Sequence, residues 1–521
     1  MKRLVTAALC AALIFVVTGV AGADPLRVGI ADDWPESHAC GDVFWQAMND
    51  INYSDLRITV QWDGSGATVP ISDAASAANC AVKNGVTPIV AIYPSKPTLI
   101  GSNASAQAAF AQFSGSVVQQ LPMVDNFIVG NEPNVNRFWQ PQYVGGQSAA
   151  PIDYEHTLAQ AYDAIKAARS SAIVWGPAIS SRGNDNPTAS SNPSHSPVWF
   201  IIKMGQAYRA SGRTKPIFDE FDMHPYPPIQ DTDPYSTPFQ WPQAGAANLD
   251  RIKQALWDAF NGTAQPVPAE QAGGRIALSA RFANQGLPIN LDEVGSQTDV
   301  TGHAGYIDFP ESIKPISEAT QAQYYTQLIG MAECDPDVQA LLFFPLIDEN
   351  DVHNGFQSGN LYVDFTQKLS YAAVKSEIAS THGNCQGTQA AWVHATHVIG
   401  AQALWNGPHT SPTAQPTSKK ATQKYWAFSL TATEDATYSA SLVNLQTKKP
   451  VLTTSGTVKA YYTPLVHFSG KTLPAGCYAY QAVLTAAVNA QRTSTLTSGS
   501  FAVGAGSCTG VAGLSSSATT S

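Results

Sequence analysis

From Asp24 to about His382 the chain alternates short β-rich apolar runs with helix-patterned stretches, and that alternation constrains the fold more than any other feature. Strands are expected at 26–30, 56–62, 87–93, 126–130, 173–176, 218–223, 289–294 and 339–346, each run being bounded by turn residues. Between them, Ala74–Asn84, Ala106–Gln120, Tyr154–Ala168, Val198–Ala210, Ala247–Phe260 and Thr320–Cys334 read as helices. Eight strands, each followed by a helix, is the count for a closed (β/α)8 TIM barrel. A doubly wound open sheet competes with it, but no glycine-rich nucleotide fingerprint follows the first strand.

Loop lengths support the barrel independently. Helix-to-strand connections are mostly short, as at Asn84-Gly85 and Ser170-Ser171. Strand-to-helix connections are mostly long, at 131–153, 180–197, 224–245, 296–317 and 347–369. In a barrel these long loops gather on the C-terminal face, where such folds carry their sites. The stretch 261–286, on the opposite face, departs from this pattern and is expected to hold an extra helix.

The ends of the chain read differently. Residues 1–23 resemble a secretory signal: Lys2-Arg3, then an apolar run from Leu4 to Val20, then the small-residue cleavage pattern Ala21-Gly22-Ala23. That run is short for a membrane anchor, and no later segment has 18 unbroken apolar residues, so an exported chain with no membrane contact after signal removal is expected. Residues 24–383 form the expected barrel and 384–423 a connecting segment. Residues 424–508, with short alternating runs between Asn, Gly and Pro turns, form a small antiparallel β-sandwich. The Ser/Thr/Gly-rich tail 509–521 reads as disordered.

Seven cysteines fit an oxidising compartment. Cys10 lies in the leader, and the other six allow 15 pairings. Closeness along the chain favours Cys40–Cys80, Cys334–Cys385 and Cys477–Cys508. No C-x-x-C occurs, so zinc ligation and dithiol redox chemistry lack support. A formal charge of −10 argues against a nucleic-acid partner, which needs a basic patch.

Two carboxylates stand at strand ends. Glu132, in Asn131-Glu132-Pro133, follows Phe127-Ile128-Val129-Gly130 at the end of the fourth expected strand. Glu293, in Leu291-Asp292-Glu293-Val294-Gly295, ends the seventh. A glycosidic acetal breaks when its leaving oxygen is protonated while a carboxylate or water meets the cationic carbon, so a sugar-cleaving site needs two acids in unlike environments. Asn131 could bind a hydroxyl beside the acid. Asp292 competes for the nucleophile role, because adjacent strand residues point to opposite faces and only one of the two acids is expected to aim into the site.

These residues resemble the clan A glycoside hydrolases, which are retaining (β/α)8 enzymes. Their acid/base follows strand four and their nucleophile follows strand seven. The resemblance spans about Asp24 to His382 and implies Glu132 as acid/base and Glu293 as nucleophile, with no metal or organic cofactor and a carbohydrate as partner. Arg57, in Leu56-Arg57-Ile58, resembles the strand-two arginine that steadies the nucleophile in cellulase-like members. His224-Pro225-Tyr226 resembles their strand-six His-x-Tyr, with Tyr226 offering its hydroxyl to the nucleophile. Two departures stand out. Strand three ends Ile92-Tyr93-Pro94-Ser95 without a histidine, and strand eight carries Phe344 where a sugar-stacking Trp is common. The clan is therefore assigned, not a family within it.

Trp62, Trp139 and Phe344 are further candidates for the sugar cleft, with Trp34, Tyr143, Tyr235, Phe239 and Trp241 on the long loops. Of Asp219, Glu220 and Asp222, one at most is expected to face the barrel. Asp348-Glu349-Asn350-Asp351 lacks regular calcium-loop spacing and reads as a solvated acidic loop. No Gly-x-Ser-x-Gly elbow occurs. The competing function is a secreted carbohydrate-binding or adhesion protein that keeps the barrel without turnover. Oligomeric state, sugar and linkage are not encoded in these patterns.

Overall fold

The computed structural model describes residues 25–66, 70–236, 239, 242–269, 286–390, 392, 401–404, 426–432, 436–458, 465–468, 473–486, 493–503, 507–515 and 517–519. The expected signal segment, Cys10 and Trp241 lie outside the described residues. The chain forms two compact units, residues 1–394 and 395–521.

Eight parallel strands close the first unit into a barrel: β1 (Arg27–Ala31), β2 (Asp55–Trp62), β3 (Thr87–Pro94), β4 (Asn126–Val129), β5 (Ile173–Ser180), β6 (Glu220–His224), β7 (Ile289–Val294) and β8 (Val338–Phe343). Each pairs with its sequence neighbours, and β1 closes the ring on β8 through Arg27↔Ala340 to Ile30↔Phe343. The helices are α1 (Val43–Ile51), α2 (Ser72–Lys83), α3 (Ala104–Gln120), α4 (Ala150–Ala168), α5 (Pro197–Ser211), α6 (Leu249–Phe260), α7 (Glu318–Cys334) and α8 (Leu369–Thr381). All six expected helices and all eight expected strands appear. Helices α1 and α8 add to them; α1 is entered from Asp42, whose carboxylate accepts from Phe44 N and so satisfies an otherwise orphaned helix donor.

Ile89, Ala91, Ile128, Trp175, Ala178, Ala340 and Leu342 fill the barrel interior, with Tyr93 and Ile173 packed beside them. Burying such chains, at roughly 25 cal/mol per Å² of apolar surface, stabilises the ring and leaves its rim free for polar groups. The 261–286 segment shows turns over 261–264 and no helix among its described residues.

The first unit runs past the expected boundary. Cys385 bonds to Cys334, Ala390 N donates to Cys334 O at 2.7 Å, and Trp392 packs edge-on against Trp257. The other disulfides are Cys40–Cys80 and Cys477–Cys508, so all three pairings follow closeness along the chain.

In the second unit the strands are β9 (Ala401–Leu404), β10 (Trp426–Ala432), β11 (Ala436–Asn444), β12 (Lys449–Val458), β13 (Leu465–Phe468), β14 (Gly476–Ala486), β15 (Thr493–Thr497), β16 (Phe501–Val503) and β17 (Ser517–Thr519). Two antiparallel sheets form, β9-β10-β13 and β12-β11-β14-β15-β17, with β16 also on β14. Their shared core includes Phe428, Phe468, Tyr480, Phe501 and Trp426. These aromatics are therefore spent on packing. Strand β9 falls in the segment expected to be a connector; 393–400 and 405–425 lie outside the described residues. The tail also departs from expectation: β17 pairs with β15, and Val511 and Leu514 pack around the Cys477 cluster. Backbone pairing and apolar contact override its polar composition.

Candidate active site

Two glycines flank the glutamate-bearing segments and show why the chain turns there. Gly130 has φ +102°, and a Cβ on it would meet the Tyr154 ring at 2.9 Å. The Tyr154 hydroxyl donates to Val129 O, so helix α4 sits directly behind this turn. Gly295 lets Phe344 O approach to 2.6 Å of where a Cβ would stand, closing the end of β7 onto β8.

Glu132 itself adopts φ +40°, a region that side chains favour little. Its N–H donates to Ala178 O at 2.9 Å, and Ala178 (φ +51°) donates its own N–H to Asp222 Oδ1 at 2.8 Å. Two residues later, Asn134 staples the turn to the next loop: its Oδ1 accepts from Ser180 N, and its Nδ2 donates to the carbonyls of Ser180, Arg182 and His195. Such a conformation persists only where the surroundings over-determine it, and here they do.

Strand β7 solves a different problem. Its pairing with β8 runs Leu341↔Leu291 and then Phe343↔Val294, so Asp292 and Glu293 together stand opposite Leu342. This is a β-bulge, which turns consecutive side chains toward one side. The expectation that only one of the two acids could face inward is therefore corrected. Asp292 is fully buried, while the Glu293 side chain remains 15% exposed in the cleft.

Arg57 on β2 ties the two segments together. Its Nη1 donates to Glu293 Oε2 at 2.9 Å, its Nη2 to Asn131 Oδ1 at 2.7 Å, and its Nε lies 3.3 Å from Asp292 Oδ2. Tyr226 Oη donates to Glu293 Oε1 at 2.9 Å. Burial, with the adjacent Glu293 charge, holds the Tyr226 phenol well above the usual range, so it stays a donor.

His224 lies between the two acids. Nδ1 is 3.0 Å from Glu132 Oε1, and Nε2 is 3.4 Å from Asp292 Oδ2 and 3.7 Å from Glu293 Oε2. Burial alone would drive this imidazole neutral. The charges of Glu293 and Asp292, the close approach of Asp292 and the hydrogen bond with Glu132 outweigh it, holding the imidazolium well above the usual histidine range.

Below them, Glu220 and Asp222 share the inward face of β6 with His224. Glu220 accepts from Asn290 Nδ2 at 2.7 Å, and burial followed by repulsion from Asp292 pushes the Asp222 carboxyl well up. Two of the three acids at 219, 220 and 222 thus point inward, against the one expected at most. Asp219 faces α4 instead, 2.7 Å from Lys166 Nζ.

The cleft above the glutamates has a volume of about 1170 Å³. Arg57, Asn131, Glu132, Tyr226, Glu293 and Phe344 all line it, whereas His224 is buried beneath. Phe344 meets Phe356 edge-on at 5.0 Å between ring centroids. Trp62 and Trp139 do not line it. Trp62 packs on Phe110 of α3 and donates Nε1–H to Gly66 O at 2.9 Å, because its place on β2 alternates away from Arg57. Trp139 is buried against Tyr154. Of the loop aromatics, Tyr143 stacks on His195, Trp34 on His38, Phe239 is buried, and Tyr235 stands exposed.

Sequence reasoning missed several lining residues, among them Tyr93, Phe138, Arg137 and Asp32. Tyr93 ends β3 in the place where a histidine was looked for, so strand position could have found it. Asp32 follows β1, accepts from Trp34 N and Leu346 N, and burial pushes its carboxyl up to about 7. The acidic loop is also corrected: Asp348 is fully buried with its oxygens 2.6 and 2.8 Å from Lys368 Nζ. Among the described residues no cluster of His, Cys, Asp and Glu could hold a metal ion.

A scan against known family models finds no match, and a search by sequence among curated proteins finds none either. Solved structures similar to this chain include a family 39 glycoside hydrolase from Bacteroides cellulosilyticus WH2, at 14% identity, covering 86% of this chain and 81% of that one, with a TM-score of 0.49. Another is a monomeric β-xylosidase from Caulobacter crescentus CB15, at 13% identity, 87% and 98% coverage and TM-score 0.44. A third is a Bacteroides uniformis β-glucuronidase, at 11% identity and TM-score 0.42, covering 92% of this chain but 46% of that one, so this chain spans about half its length. The eight-stranded closed parallel barrel of this chain is a (β/α)8 fold.

Proposed function

We propose that the chain is a retaining glycoside hydrolase acting on a polysaccharide or oligosaccharide. The observation that carries this reading is the unlike setting of two glutamates at one cleft. Glu293 is held by two donors, Arg57 Nη1 and Tyr226 Oη, while Glu132 is met by His224 Nδ1. A carboxylate gripped by a guanidinium and a phenol is suited to attack. A carboxyl in the turn after a second strand is suited to deliver a proton.

In the first step Glu293 bonds to the anomeric carbon as the carbon–oxygen bond to the leaving group breaks, and Glu132 gives its proton to that oxygen. In the second, Glu132 takes a proton from water, whose oxygen displaces the Glu293 ester and releases the sugar. Arg57 and Tyr226 bear the charge of Glu293 before attack and after release. Asn131, fixed by Arg57, presents its remaining amide N–H to the sugar beside the scissile bond. Phe344 offers a ring face to it.

Three disulfides favour an exported protein. Among the described residues no helix is long and apolar enough to cross a membrane.

The test begins with a screen of aryl glycosides and plant, fungal and mycobacterial polysaccharides. On the substrate found, Glu132→Gln should lose activity on poor leaving groups far more than on activated aryl glycosides. Azide should rescue Glu132→Ala and give an inverted product with Glu293→Gly. Equal, unrescued loss in both would refute the assigned roles. The competing reading, a sugar-binding protein without turnover, fails if the whole protein hydrolyses a polysaccharide.

A further inference from the structure

The buried acid next to the proposed nucleophile has no part in the two steps above. Asp292 is fully buried on β7. Neither of its oxygens makes a hydrogen bond among the described residues, and neither does Arg57 Nε or His224 Nε2. Those two nitrogens are what Asp292 faces, at 3.3 and 3.4 Å. An unpaired buried carboxylate costs several kcal/mol, so this grouping is stable only with both neighbours charged.

We propose that Asp292 is a positioning residue for the acid/base: it fixes a proton on His224 Nε2, and the doubly protonated imidazole then directs Nδ1–H to Glu132 Oε1. The inference rests on the glycosidase reading above, and it gives a defined place to the proton that Glu132 must deliver. With Oε1 accepting from His224 at 3.0 Å, the carboxylic proton of Glu132 sits on Oε2, free to reach a leaving oxygen. If His224 were neutral with its hydrogen on Nε2, its Nδ1 lone pair would accept the Glu132 proton and withhold it from substrate. The charges balance in the former state. Arg57 and His224 are cationic, Asp292 and Glu293 anionic, and Glu132 is a neutral acid.

Among the described residues, charged groups on three strands and one turn face His224. Asp292 and Glu293 come from β7, Glu132 from the turn after β4, and Asp222 from its own strand; Arg57 on β2 is the like charge. Burial holds Asp222 above the usual carboxylate range, with Asp292 adding to that effect. A protonated Asp222 leaves Asp292 as the anion available to Nε2.

The experiment is a ¹⁵N NMR titration of the histidine side chains in the whole protein, with His224 assigned by its loss in His224→Gln. The wild-type imidazole should remain doubly protonated through pH 8, and a neutral ring at pH 7 would overturn the proposal whether or not the protein hydrolyses anything. In Asp292→Asn, the ring should titrate at least one pH unit lower. On the substrate found, this variant should lose about tenfold or more in kcat/KM at pH 7 with a poor leaving group, part of the roughly 10²–10⁴-fold that acid catalysis supplies, and keep most of its rate with a dinitrophenyl glycoside. Its alkaline limb should move acidward by the same amount as the His224 titration. An unmoved limb, or equal loss on both substrates, would leave Asp292 a structural counter-ion of Arg57 alone and refute the proposal. Should Asp292→Asn fail to fold, the wild-type titration still decides. A charged His224 in a protein that hydrolyses no glycoside would count against the glycosidase reading and not against the pairing.

Discussion

Arg57→Lys is the sharpest perturbation of the proposed site, because it keeps the charge and removes the shape. The guanidinium reaches three partners in three directions: Glu293 Oε2 at 2.9 Å, Asn131 Oδ1 at 2.7 Å and Asp292 Oδ2 at 3.3 Å. A lysine ammonium is a single point on a flexible stem and cannot hold all three. With the charge placed between Asp292 and Glu293, the bond to Asn131 is lost and the one to Glu293 loosens. Each charge-assisted hydrogen bond contributes about 1.5–3 kcal/mol, so the two together cost roughly 3 kcal/mol at the low end. At 1.36 kcal/mol per decade, that is a fall in kcat/KM on the order of 10²-fold. The assay is kcat/KM on an activated aryl glycoside, with circular dichroism confirming the fold. Because the loss falls on the nucleophile and on the residue beside the acid/base, an activated leaving group should not restore the rate, unlike in Glu132→Gln. A variant within threefold of wild type would refute the idea that the fork, and not merely its charge, organises the site.

Other outcomes follow from the same geometry. Phe344→Ala should raise KM with little change in melting temperature, whereas Trp62→Ala, buried against Phe110, should lower the melting temperature and leave KM unchanged. Lys368→Met strips Asp348 of its buried partner and frees the Thr298 and Gln357 contacts that brace the loops after β7 and β8. Breaking a buried pair costs about 3–5 kcal/mol, and calorimetry should show part of it restored in Lys368→Met/Asp348→Asn. Burial raises the Glu155 carboxyl to about 7 from 4.5. The folded state therefore binds a proton that the unfolded chain has released between those values, and this contribution to stability is lost as pH rises through 7. Glu155→Gln should accordingly gain in melting temperature relative to wild type more at pH 8 than at pH 5. An equal difference at both pH values would show that Glu155 is ionised throughout.

Much of the barrel was legible because its signals are local. Apolar runs of strand length, helical periodicity and the contrast between long and short loops need no tertiary contact to be read. Glu132, Glu293 and Tyr226 were legible for the same reason, each lying at or just past the C-terminal end of a strand, and those ends open on one face, whereas Arg57 came from the resemblance alone. Trp62 was misjudged because residue type suggested a sugar platform, whereas strand alternation from Arg57 already sent it toward α3. The Ser517–Thr519 strand and the Asp348–Lys368 pair were hidden because each depends on a partner distant in sequence.

The two glutamates mark the boundary between these kinds of information. Sequence alone determined that acids would stand at the ends of β4 and β7, since strand periodicity and turn residues are properties of neighbouring positions. Only the tertiary structure decided how they are aimed. A bulge between β7 and β8 brings Asp292 and Glu293 to one side, where period-two alternation would have separated them. Bonds from Glu132 to Ala178 and from Ala178 to Asp222 hold Glu132 in a conformation its own residue type disfavours. Two distant segments, the turn after β4 and strand β7, bring Glu132, Asp292 and Glu293 around the buried His224, and the Glu293 and Asp292 charges hold its imidazolium above the usual range. Bulge, strain and charge all arise from groups that meet only when the barrel closes.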